Sequence, residues 1–280
     1  MQSDNKSIFS ILEDDFFGYA KKEFNLWLER KREYRDNVNA ISDILGLKKK
    51  KRFDTSRSPK FWSGKSKSKN GPRIIIVSLN PGLRKNAPSR IKAHEEDWET
   101  FRKSRDDVYQ RDKHKSTFYR RWYVLFSGLY DKPELDIKTD NFRFFDKNVL
   151  GLNLLPFHSN KSGFSDFKGK KLALVTPYVI NLLDYIVKTK PKDICIFNGK
   201  AWDNLLFKRA LIYNEIKDYN ETKLIKKQKI KFFKYKNVKC VLFTKFLSST
   251  GHEKMTDKKI RADTAKKIKC QYPTAKWRAR

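Results

Sequence analysis

The chain has 280 residues, 39% hydrophobic and 14% aromatic, with 64 Lys and Arg against 32 Asp and Glu, a formal charge of +32 at neutral pH. The apolar content is enough for a large buried core and excludes a disordered basic tail, while the charge exceeds what solubility needs and points to a polyanionic partner. Cys195, Cys240 and Cys270 are widely spaced and form no CxxC pair, so no disulfide framework or cysteine metal cluster is expected, and a reducing, cytoplasmic setting is.

The first residues, MQSDNKSIFSILEDD, place acids where a secretory leader needs a basic and then an apolar run. No stretch approaches 18 uncharged apolar residues, so no membrane span is expected. From Ser7 to Val38, residues such as Ile8, Leu12, Phe16, Tyr19, Phe24 and Trp27 recur at spacings of three and four, predicting an amphipathic helix interrupted near Gly18. A second short helix is predicted over Ala40 to Leu47. Lys48 to Arg52 and the polar stretch Ser63 to Gly71 then read either as a solvated linker or as a strap that tracks phosphates. Ser63-Gly64-Lys65-Ser66 looks like half of a phosphate-binding loop, but its earlier glycine falls at Pro59 and no strand precedes it, so we reject a nucleotide site there. Residues 1–70 are accordingly taken as a helical, basic N-terminal extension, and 71–280 as an α/β domain.

Arg73 to Gly82, RIIIVSLNPG, runs four β-branched residues into Asn80-Pro81-Gly82, the pattern of a buried parallel strand ending in a tight turn. Ligands bind at the carboxyl ends of strands in open α/β sheets, which puts Asn80 where chemistry happens. Leu83 to Thr117 is charged and reads as a helical, solvent-facing excursion, and Phe118 to Tyr130 as a helix whose aromatics pack inward. Asn148 to Phe157 predicts a second buried strand, with Asn153 inside it and His158 just beyond. A helix over Lys171 to Lys188, a strand over Asp193 to Phe197 and a helix from Ala201 complete the helix, strand, turn, helix grammar of a parallel sheet.

Tyr213 to Lys236 is polar and basic, with the alternation of an edge strand or hairpin; Val238 to Thr244 is the last buried strand, and Thr256 to Lys269 the closing helix. From Lys223 onward 19 basic residues face 3 acidic ones, so half of the net charge lies in this last part of the chain, and the DNA-facing side is expected there.

Four strand ends, LNPG, LNLLPFHS, FNGKAW and FLSSTGH, stand in an order and spacing that resembles the uracil-DNA glycosylase superfamily, and most closely its mismatch-specific uracil/thymine branch. The similarity runs from about Arg73 to Ile268. The first turn resembles the branch's Gly-x-Asn-Pro-Gly motif with Ser78 in the first position, and the Asn153 strand resembles the superfamily strand whose Asn reads the base edge. In the last loop only Ser248 of Phe246-Leu247-Ser248 matches the family's His-Pro-Ser or Asn-Pro-Ser, and the four-cysteine cluster of some branches is absent.

The resemblance implies a three-layer α/β sandwich with a central, mainly parallel four-stranded sheet flanked by helices. It also implies a monofunctional glycosylase, with neither cofactor nor metal, acting as a monomer on double-stranded DNA, with no membrane role and association with the nucleoid. Asn80 would position the attacking water, and Pro81, Gly82, Asn153, Phe157 and Ser248 would line the base pocket, with Phe157 stacking on the base. His158 would either donate to the departing base in place of the missing loop residue or serve as a structural histidine. Lys245, Ser249, Thr250, Gly251, His252 and Lys254 would wedge and clamp the DNA, the alternative for this loop being a plain strand-to-helix connection capped by Thr256. Relatives include bacterial defence enzymes that remove glucosylated hydroxymethylcytosine from phage DNA, and a bulky modified cytosine is the substrate this resemblance suggests. The other function class is an inactive, strongly basic DNA-binding protein on the same scaffold.

Overall fold

The computed structural model describes residues 15–48, 52–66, 71–79, 81, 95–111, 122, 125–130, 141–159, 169–208, 215–223, 229–244 and 258–273. The chain opens with α1 (Phe16–Leu28), whose first turn is capped by the Asp15 carboxylate accepting from Gly18 N at 2.7 Å. Gly18 is therefore an early helical residue, not an interruption. The break falls at Arg30, which takes a left-handed φ of 55° before α2 (Arg32–Ile44). That second helix starts well before the predicted Ala40.

A two-residue strand β1 (Trp62–Ser63) precedes β2 (Ile74–Ser78), and the charged excursion holds two helices, α3 (Trp98–Asp106) and α4 (Val108–Arg111). This excursion does not simply face solvent, because Phe101, Val108 and Tyr109 are fully buried. Next come α5 (Asn141–Asn148), β3 (Val149–Asn153), α6 (Lys170–Thr189), β4 (Ile194–Asn198) and a short α7 (Lys200–Asp203). The basic stretch forms β5 (Ile216–Lys223) and β6 (Lys229–Tyr235), followed by β7 (Val238–Phe243) and α8 (Lys258–Gln271).

These strands form one sheet in the order β1-β3-β2-β4-β7-β6-β5. Neighbours from β3 to β7 are parallel, while β1, β6 and β5 join antiparallel. The protein is an α/β fold, but among the described residues its sheet is seven-stranded and mixed, not four-stranded. The added strands come from the lysine-rich hairpin and from residues 62–63, whose short or charged sequences lack the apolar run of a central strand. A two-residue turn at 236–237, with Lys236 at a φ of 49°, joins β6 to β7.

Alternation along the strands explains the unbroken apolar runs, since both faces of the sheet are buried. Ile75, Val77, Phe197 and Leu242 point into one core with α1, α2 and α6, and Ile74, Ile76, Ile196 and Val241 into a second core with Trp122, Phe126 and α8. Residues 1–70 are not an appendage in their described part. Phe24 stacks on Phe101 at 4.3 Å, Phe16 on Tyr185 at 4.4 Å, and β1 pairs with β3, so this segment closes one face of the sheet. Among the described residues one helix, Lys170–Thr189, is long and apolar enough to cross a membrane, and half of that window is buried inside the protein.

Candidate functional site

At the carboxyl ends of the parallel strands, the chain leaving β2 and the chain leaving β3 run side by side. Leu154 N donates to Ser78 O at 2.9 Å, Leu155 N to Leu79 O at 2.7 Å, and Ser159 N to Pro81 O at 3.3 Å. This ladder extends the β2–β3 pairing beyond the strands and fixes the backbone on both sides of position 80 against the arm 153–159. On the outer side of that arm, Asn153 N donates to Phe61 O and Lys60 N to Pro156 O, so the arm is held between two neighbours.

Pro81 is buried, and its carbonyl is the ladder's last acceptor. Asn153 is half-buried, and its Nδ2 donates to the Lys60 carbonyl at 2.8 Å, which orients the carboxamide and uses one of its two amide protons. Phe157 departs from its expected role. Its ring is 1% exposed and packs against Phe53 at 5.5 Å and Tyr34 at 6.2 Å, so it is a core side chain and not an open stacking surface. His158 is half-buried, and its carbonyl accepts from Asp54 N at 2.9 Å. Asn80, Gly82, Lys245, Ser248, Ser249, Thr250, Gly251, His252 and Lys254 lie outside the described residues.

Register reveals two residues that motif reading missed. Ser78 pairs with Asn153, Val77 with Phe197, and Asn198 with Phe243, so Asn153, Ser78 and Asn198 form the last row of three adjacent strands on one face. Ser78 is 8% exposed and Asn198 fully buried. The signal is visible when the runs IIIVS, VLGLN and ICIFN are aligned, because each is apolar until a polar fifth residue. The row spans about 10 Å of sheet, but of its three polar side chains only half-buried Asn153 lies within reach of a ligand, because Ser78 and Asn198 are enclosed as Phe157 is. Phe243 continues the row, edge-on to Trp122 at 5.9 Å.

The turn beside His158 carries its own charge pair. Burial alone would raise the Asp54 carboxyl, but hydrogen bonds from Ser56 and Arg57 outweigh it and hold the group below the ordinary carboxylate range. The Ser63–Ser66 corner is structural. Lys65 pairs with Asp146 at 2.9 Å, Ser66 N and Oγ donate to Asp106, and Trp62 Nε1 donates to the same carboxylate at 2.9 Å. Cys195 and Cys240 are buried opposite each other on β4 and β7, and burial pushes the Cys195 thiol well up, so it is a poor nucleophile.

The basic hairpin is more neutral than its composition suggests. Lys229 pairs with Glu221 at 2.6 Å, Lys231 with Asp203 at 2.6 Å, and Lys234 with Asp218 at 2.6 Å. No protein-family model matches the chain, and a search of the curated proteins returns no match.

Proposed function

We propose that the protein is a monofunctional DNA glycosylase that flips a modified pyrimidine out of duplex DNA and hydrolyses its N-glycosidic bond, leaving an abasic site. The observation that carries this reading is the ladder from residues 78–81 to the arm 154–159, which joins the Asn-Pro turn to the strand end bearing Asn153 and His158. A glycosylase needs a water-positioning group and a base-reading group at adjacent strand ends, and two parallel neighbours provide that geometry. The sheet, buried on both faces, fits the three-layer sandwich of the uracil-DNA glycosylase superfamily.

In this mechanism the bond from the sugar C1′ to the base nitrogen breaks as a water oxygen attacks C1′. The base departs as an anion and takes up a proton. Asn80 orients the water, Asn153 hydrogen-bonds the base edge, and His158 donates to the developing negative charge. An amide is a weak base, so the rate rests on how good a leaving group the base is. A bulky modified cytosine such as glucosylated hydroxymethylcytosine suits this scheme, and the setting is cytoplasmic, on DNA, as a defence against phage.

The burial of Phe157 and the engagement of the Asn153 amide favour a second reading, an inactive DNA-binding protein on the same scaffold. Excision assays on duplexes carrying uracil, a thymine mismatch, hydroxymethylcytosine or its glucosylated form separate the two. The enzyme releases base from at least one of them and loses that release in Asn80→Ala while DNA binding is kept. Release from none of the four would sink the glycosylase reading and leave the binder.

A further inference from the structure

Glu23 projects from α1 into the junction with α2 and α6 and is 8% exposed. Its neighbours are phenols: Tyr19 on its own helix, Tyr34 on α2 and Tyr178 on α6, all buried, with the Tyr19 and Tyr178 rings edge to face at 5.7 Å. The charged groups around it are Lys22 on α1 and Glu33 on α2, both exposed, while Asp54, in the loop after α2, acts on Tyr34. Glu23 Oε2 and the Tyr34 hydroxyl are buried without a hydrogen-bond partner among the described residues. A carboxylate left in that state is costly, whereas a neutral carboxyl is tolerated. Burial accordingly pushes the Glu23 carboxyl up from 4.5 to about 7, with Lys22 pulling it down and Glu33 adding to the rise.

The junction touches the candidate site from below. The Tyr34 ring packs on Phe157, Phe157 packs on Phe53, and the next residues along, Asp54 and His158, share a backbone hydrogen bond. Ser42 Oγ on α2 accepts from Phe53 N at 3.2 Å, tying this layer back to the helix. We propose that Glu23 is a proton-operated positioning residue: with its proton in place, α1, α2 and α6 stay closed beneath the arm 153–159, and loss of the proton loosens that joint and releases the arm. Proton binding at this junction thereby sets the placement of Asn153 and His158, whatever ligand the arm meets. Among the described residues no hydrogen bond meets Glu23 Oε2, so ionisation draws in water, turns the Tyr34 hydroxyl toward the charge or swings α1 outward.

Hydrogen exchange of the full chain at pH 6 and pH 8, corrected for intrinsic rates, tests the device. Opening of α1, α6 and the arm is about tenfold more frequent at the higher pH in the parent, from the difference between a closed-state value near 7 and an open-state value near 4.5. In Glu23→Gln the pH ratio disappears, which assigns the ratio to Glu23. Two exposed variants guard against a folding defect: Lys22→Gln moves the midpoint of the exchange transition to higher pH, and Glu33→Gln moves it to lower pH. Equal pH ratios in the parent and Glu23→Gln, or a midpoint that neither surface variant moves, overturn the inference.

Discussion

Asp193 shows how a single side chain can secure the sheet at the end away from the candidate site. It is 3% exposed, accepts from Arg73 Nε at 2.7 Å and from the Tyr130 hydroxyl at 2.6 Å, and the Arg73 guanidinium lies 4.5 Å from the Tyr130 ring. Burial first, and the Asp193 charge second, push the Tyr130 hydroxyl far up, so it remains a donor. Arg73 and Asp193 stand immediately before β2 and β4, so the triad sets the start of both strands. Asp193→Asn should cost about 3–5 kcal/mol, because it removes the carboxylate charge that faces the partly buried Arg73 guanidinium, whereas Tyr130→Phe should cost about 1–2 kcal/mol. Urea denaturation midpoints at constant slope measure both, and equal losses for the two variants would contradict this ranking. Gly64 makes a similar point on the backbone: its φ is 97°, and an added Cβ would lie 2.4 Å from the Tyr109 ring and 2.5 Å from Val149 O. Glycine is required at that corner for packing, not for phosphate.

Elements differed in how plainly they could be read. The parallel strands were legible because a strand buried on both faces must be apolar at every position, and IIIV, ICIF and CVLF are runs of that kind. The hairpin was less so, since five of the eight β5 residues are exposed and its charges pair with one another across the strands. The role of α1 was hidden for another reason: a 3.6-residue period gives the buried face but not the element that covers it. The strand ends of the candidate site could be placed from their polar residues, but Phe157 could not be told from a pocket wall until Tyr34 and Phe53 appeared beside it.

Glu23 gives α1 a measurable signature in stability. Its folded-state value of about 7 lies above the ordinary 4.5, so the folded protein holds the proton over a range where the unfolded chain has lost it. Its contribution is fully present below pH 4.5 and declines as the pH rises toward 7, by on the order of 3 kcal/mol in total. Glu23→Gln removes that decline. Stability curves for parent and variant therefore diverge between pH 5 and 7, with the variant more stable at pH 8, and parallel curves would refute the assignment. Phe24→Ala, one residue along, costs about 3–5 kcal/mol at any pH, because its ring stacks on Phe101 inside the shared core.

At the scale of the whole molecule, the strand order decides which charges can meet a long polyanion. Because β6 runs antiparallel to β7, Lys229 lies beside Thr244 at the carboxyl end of β7, while Lys234 pairs with Lys239 near the amino end. Lys60 lies beyond the end of β3, Lys200 follows β4, and Lys223 ends β5, so these lysines share one edge with the candidate site. From β1 to β5 that edge spans six inter-strand spacings, about 29 Å, the length of roughly eight to nine base pairs. If duplex DNA runs along it, each exposed lysine there displaces condensed cations from the phosphates, whereas Lys234, at the far end and paired with Asp218, displaces none. Binding of one duplex, measured across a salt series, then gives a log–log slope that falls by about 0.9 in Lys200→Gln and again in Lys223→Gln, and stays unchanged in Lys234→Gln. Equal losses in all three variants would mean that the charge acts only as a diffuse cloud, and DNA would have no defined path across the strand ends.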